Sequence, residues 1–104
     1  MHICWVGGID RSADVLERTA ERAGHSIEVH TGHVGGRGGT RLAGSIERAD
    51  LVIIVIEVNS HGGVLQAKEI ARRCGRRSVM IRKPSVSALE RVMRESEAAF
   101  AQTH

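Results

Sequence analysis

Three histidines set among glycines are the residues best placed to do chemistry in this chain. His30 and His33 flank Gly32, and His61 follows Asn59-Ser60 and precedes Gly62-Gly63. Neutral imidazole is the commonest protein ligand of transition metals and the proximal ligand of many haems. Three imidazoles would meet the minimum for a tetrahedral zinc site, although His-x-x-His outside a helix is a weak signal. Haem asks for less: one or two axial ligands, an apolar slot, and cations for its carboxylates. Val34, Arg37 and Arg41, in and just after the stretch that holds five glycines between positions 32 and 39, suit the last two needs. The plain alternative for each histidine is a solvated loop residue.

A second constellation is Gly7-Gly8 followed by Asp10, Arg11 and Ser12. Backbone N–H groups at a helix N-terminus attract phosphate or carboxylate, and glycines let such a group come close. The spacing is neither GxGxxG nor a Walker motif, since no Gly-Lys-Ser/Thr follows; a tight turn with a helix cap explains it equally well. Glu57 is a third candidate, because an acid at the end of an apolar run must be paired or lie at the wet end of a strand. There it would orient His61 or a ligand group. Ser60 beside His61 suggests a nucleophile, but adjacent side chains rarely adopt triad geometry and no orienting carboxylate is evident. Ser60 or Asn59 reads better as a helix cap. Among the basic residues, Arg72, Arg73, Arg76 and Arg77 cluster at a helix C-terminus, where cations are favoured anyway. Arg82 and Lys83 end a strand instead, which makes them the better anion ligands.

The elements that must position these residues alternate strand and helix four times. Strands are predicted over 2–7, 26–31, 50–58 and 77–82, and helices over about 12–23, 40–48 and 62–74. A final helix starts after Pro84-Ser85. Val15, Leu16, Thr19, Ala20 and Ala23 mark the inner side of the first helix; Leu89, Val92, Met93, Ser96 and Phe100 mark that of the last, with Ser87 and Glu90 as its capping box. The run Leu51 to Ile56 is continuously apolar, as a strand buried on both faces of a parallel sheet requires. The strand predicted over 26–31 alternates polar and apolar residues and belongs at an edge. This pattern implies one α/β domain over residues 1–104: a small four-stranded parallel sheet in the order 2-1-3-4 with helices on both faces, Rossmann-like or flavodoxin-like. In such sheets ligands bind beyond the carboxyl ends of the strands, which is where His30, His61, Gly7-Gly8 and Arg82-Lys83 all fall.

Composition sets the outer bounds. The 104 residues are 41% hydrophobic and 26% charged with one proline, the profile of a globular domain. Fifteen basic residues against twelve acidic ones give a net charge of +3, which favours an anionic ligand without demanding nucleic acid. Trp5 and Phe100 are the only aromatics, so nucleic-acid recognition by base stacking is not favoured. Cys4 and Cys74 show no metal-site spacing and read as buried thiols of a cytoplasmic protein without a leader. No apolar run approaches the ~20 residues of a membrane helix.

Val6-Gly7-Gly8, His30-x-Gly32, Ala49-Asp50-Leu51-Val52, Asn59-Ser60-His61 and Lys68, together with Pro84-Ser85, resemble a family of small bacterial proteins catalogued as domain of unknown function 2325. The resemblance spans about residues 2–93. It implies a Rossmann-like α/β fold and haem binding in some members, with Gly7, Gly8, His30, Ser60, His61 and Lys68 at the family's motif positions. The loop 32–40 is richer in glycine than that pattern, and Glu57 stands where Asp or another residue is usual. The resulting expectation is an oligomeric protein holding an anionic cofactor, haem first, ligated by His61, His30 or His33. Its other cofactor-binding residues would be Gly7, Gly8, Arg37, Arg41, Glu57, Asn59, Ser60, Lys68, Arg82 and Lys83. An open iron position would allow oxygen binding or oxidative chemistry. The alternative is a non-enzymatic module for a nucleotide, another phosphate-bearing ligand or nucleic acid.

Overall fold

All five residues of the strand Leu51–Val55 are fully buried, as their unbroken Val/Ile/Leu character requires of a strand with helices on both sides. A computed structural model describes residues 1–8, 13–31, 37–57, 59 and 61–102, with the backbone alone at residues 61 and 100–102. Its elements are β1 (His2–Val6), α1 (Ala13–Arg22), β2 (Ser26–His30), α2 (Gly38–Arg48), β3 (Leu51–Val55), α3 (His61–Arg73), β4 (Arg77–Ile81) and α4 (Val86–Gln102). The four strands are parallel and ordered β2-β1-β3-β4, the order expected. No helix among the described residues is long and apolar enough to cross a membrane.

Strand alternation divides the core into two layers. Ile3, Trp5, Leu51, Ile53, Val55 and Ile81 pack with Leu16 and Ala20 of α1 and Leu89, Val92 and Met93 of α4. Cys4, Val6, Val52 and Ile54 face the other way, onto Leu42 and Ile46 of α2 and Ala67, Ile70 and Ala71 of α3. Registers of Cys4 against Glu28 on one side and Val52 on the other keep these layers aligned across the sheet. Chain direction follows: β1 to β2 steps outward under α1, and β2 to β3 crosses back over β1 under α2. The strand order reverses between the carboxyl ends of β1 and β3, the switch point at which open α/β sheets form their ligand crevice.

Several local expectations needed correction. Val15 (42% exposed) lies on the outer side of α1 and the exposed Ala23 just past its end; Leu16 and Ala20 are the residues that α1 buries. Ser85, not Ser87, caps α4: its hydroxyl accepts the Ala88 N–H at 3.1 Å, which leaves Ser87 inside the first turn. Cys74 is half-buried where Cys4 is fully buried. α2 starts at Gly38, two residues before the predicted start, because Leu42 and Ile46 must reach the core from that side and packing overrides the poor helix propensity of glycine. α1 and α3 close with the paired bonds of Schellman turns, His25 N–H to Ala20 O and Arg76 N–H to Ala71 O, both 2.9 Å.

Candidate functional site

The crevice is built around Asn59. Its side-chain N–H₂ donates to Val55 O at 2.7 Å and to Val6 O at 3.3 Å, so one amide ties the exit of β3 to the exit of β1. The Oδ1 of the same amide is buried and has no partner among the described residues. Asn59 is thus a brace across the switch point with an acceptor left over, a role beyond the cap its position suggested. Ser60, the other candidate cap, lies outside the described residues.

Gly7 and Gly8 form the opposite wall. Gly7 has φ +110 and Gly8 φ +88, backbone conformations that side chains other than glycine's rarely tolerate. The Gly7 N–H donates to His30 O at 2.7 Å and so joins the turn to the end of β2. A β-carbon on Gly7 would lie 2.7 Å from Asn59 Nδ2 and 3.1 Å from Val55 Cβ, whereas one on Gly8 would meet only Pro84 and Trp5 at 3.6 Å or more. Gly7 is therefore required by packing and conformation together, and Gly8 by conformation alone, since a β-carbon there would make only ordinary contacts. Asp10, Arg11 and Ser12, which continue this turn, lie outside the described residues.

At the exit of β4, the Glu57 carboxylate meets Arg82, Oε1 to Nε at 3.5 Å, and Glu57 N–H donates to Arg82 O at 2.9 Å. Glu57 lies past the strand end, at the wet position, and its described partner is Arg82. With Arg82 85% exposed, the pair adds little stability. Lys83 is exposed beside Pro84, on the Gly8 side of the crevice. Lys68 is exposed on α3, two turns or ~10 Å along the helix from His61, and does not join this group. Ala49-Asp50 serves the other edge of the sheet: Asp50 Oδ2 accepts His2 N–H and Asp50 N–H donates to His2 O, both 2.8 Å.

A second concavity of about 750 Å³ lies beside β2, and it gathers His30, Arg37 and Arg41 from the expected set. Sequence reasoning missed Thr31, Thr40, Ser45 and Arg48, the other polar residues of its described lining. The spacing of Arg37, Arg41 and Arg48 would have revealed their common face had α2 been started at Gly38. Beneath it, Glu28 Oε1 accepts from Arg48 Nε at 3.0 Å and His2 Nε2 at 3.1 Å, while Oε2 accepts from Ser45 Oγ at 2.8 Å and Arg48 Nη2 at 2.9 Å. Arg48 first, and then the Ser45 and His2 bonds, draw the Glu28 carboxyl down to about 2.

Of the three histidines, His33 lies outside the described residues, as does the side chain of His61, whose backbone opens α3. Val34 is likewise outside them. His30 Nε2 stands 3.2 Å from Gly38 O; a carbonyl can only accept, so this nitrogen carries the proton and is not presented as a ligand. Among the described residues no three of His, Cys, Asp and Glu are grouped to hold a metal ion. The groove beside His30 has cations for carboxylates, but among its described lining residues Val29 alone, apart from glycines, is apolar. The described lining by itself does not supply the two apolar faces that a porphyrin needs.

Comparison with known proteins agrees with this architecture. A family model described as "Uncharacterized protein conserved in bacteria (DUF2325)" matches residues 2–96. The chain is also similar to a protein whose solved form is described as "Solution structure of a phosphate-loop protein", with a TM-score of 0.63 and 20% identity over 100% of this chain and 96% of that one. At that identity the likeness concerns the fold. No curated protein matches the chain.

Proposed function

We propose that this chain, which belongs to the bacterial DUF2325 family, is a binding module for a small phosphate-bearing ligand seated in the crevice between β1 and β3. The observation that carries the reading is the Asn59 brace: a buried Oδ1 with no partner among the described residues, beside the Gly7-Gly8 turn, at the point where the strand order reverses. A phosphate is acceptor-only when ionised and suits a backbone N–H at a glycine turn, here that of Gly8, since the Gly7 N–H already donates to His30 O. Asn59 Oδ1 needs the opposite, a donor, because a buried acceptor without one is unfavourable by about 1–3 kcal/mol. A ligand that offers both a phosphate and a hydroxyl or N–H, as sugar phosphates and nucleotides do, satisfies both walls. Lys83, with Arg82 behind it, supplies positive charge at the rim. The phosphate-loop protein of similar fold adds weight to the phosphate half of this reading.

Isothermal titration with ribose 5-phosphate against ribose tests it. The phosphorylated sugar should bind saturably and ribose should not. Equal binding of the two, or none by either, removes the proposal.

A further inference from the structure

The groove beside β2 concentrates positive charge where helix electrostatics disfavour it. Arg37 occupies the N-cap of α2 and Arg41 the first full turn, with no acidic residue in that turn and no side-chain cap from Arg37. Cations at a helix N-terminus oppose the macrodipole, and like charges four residues apart repel on a helix face. Arg48 continues the same face, but Glu28 answers its charge through two hydrogen bonds. Arg37 and Arg41 are exposed, neither has a carboxylate partner among the described residues, and no Asp or Glu is among the described residues that line the groove. Two guanidinium groups thus share one concavity with the hydroxyls of Thr31 and Thr40, inside the size range of small-ligand sites. A bound oxyanion would turn each of these unfavourable placements into a favourable one.

We infer that this groove is a second anion site, separate from the β1–β3 crevice, in which Arg37 and Arg41 grip the phosphate group of a small ligand. Guanidinium forks match phosphate oxygens two at a time, and Thr31 and Thr40 add hydroxyl donors. The first turn of α2, which the Arg37 side chain does not cap, adds its dipole to the same charge.

The test is an NMR titration of the full chain with inorganic phosphate and, separately, with ribose 5-phosphate, at an ionic strength of about 0.15 M. The Arg37 and Arg41 Nε–H signals and the Gly38, Gly39 and Thr40 amides should move together and saturate. Tighter saturation by ribose 5-phosphate would identify a phosphate monoester, and equal saturation would identify free phosphate. Arg41→Ala should weaken the response about tenfold or more, with Arg41→Lys recovering part of it. Responses at Gly8 and Asn59 should be unchanged in Arg41→Ala, so the groove and the crevice succeed or fail separately. Without phosphate, Arg41→Ala should be no less stable than the parent, since it removes a repulsion. Shifts that stay linear, that fall equally on Arg72, Arg73 and Arg76, or that survive Arg41→Ala would overturn the assignment.

Discussion

Asn59 closes on Gly7 so tightly that a β-carbon added to the glycine would lie 2.7 Å from the amide nitrogen. Gly7→Ala must therefore displace Asn59 and also place alanine at φ +110. We expect it to destabilise the fold by roughly 3 kcal/mol. Gly8→Ala meets no atom closer than 3.6 Å, so only its φ is penalised, and a loss of about 1–2 kcal/mol is expected. Urea unfolding of the two variants checks the contrast; equal losses would mean that the Asn59 contact does not constrain Gly7.

Asn59→Ala removes the donor shared by Val55 O and Val6 O. The two strand ends lose their tie, and an expected loss of about 1–3 kcal/mol follows from orphaned carbonyls. Ribose 5-phosphate binding at the crevice should fall with it, while the groove lined by Arg37 and Arg41 keeps its phosphate response.

Glu28 makes stability depend on acid. Its carboxyl is lowered from 4.5 to about 2, chiefly by the Arg48 hydrogen bonds. A depressed carboxyl contributes stability above its unfolded value, and that contribution is lost as pH falls from about 4.5 towards 2. Unfolding midpoints across this window should drop less steeply in Glu28→Gln, which is already weaker at neutral pH. An identical slope in both proteins would show that other groups govern acid unfolding.

The two thiols should separate by reactivity. Burial, and then the Glu28 charge, push the Cys4 thiol up to about 12, and its side chain is wholly enclosed in the α2–α3 layer. Cys74 is half-buried near the end of α3. A disulfide reagent at mildly alkaline pH should modify one thiol in the native protein and the second only after denaturation; Cys74→Ala should abolish the native reaction.

The fold was legible because its signals are local and repeated. Leu51 to Val55 could only be a doubly buried strand, Ile27 and Val29 alternate as an edge strand must, and Gly24 and Gly75 end helices. The site was legible by position and less so by contact. Gly7, Gly8 and Asn59 were picked out, yet the Asn59 brace depends on β1 and β3 lying side by side, a contact 53 residues apart in sequence. Glu28, bound by Ser45, Arg48 and His2, was invisible for the same reason. Asp50 and Lys68 share the family pattern but lie elsewhere, Asp50 bonded to His2 at the amino ends of the strands and Lys68 exposed on α3.

The central claim concerns where a phosphate-bearing ligand sits, and residue-resolved NMR of the full chain with added ribose 5-phosphate reads that location directly. The account predicts saturable shifts of the Gly7 and Gly8 amides and the Asn59 side-chain N–H₂, all with one affinity, absent with ribose and lost in Asn59→Ala. Saturable binding that leaves those three residues unmoved, or that persists undiminished in Asn59→Ala, would contradict it.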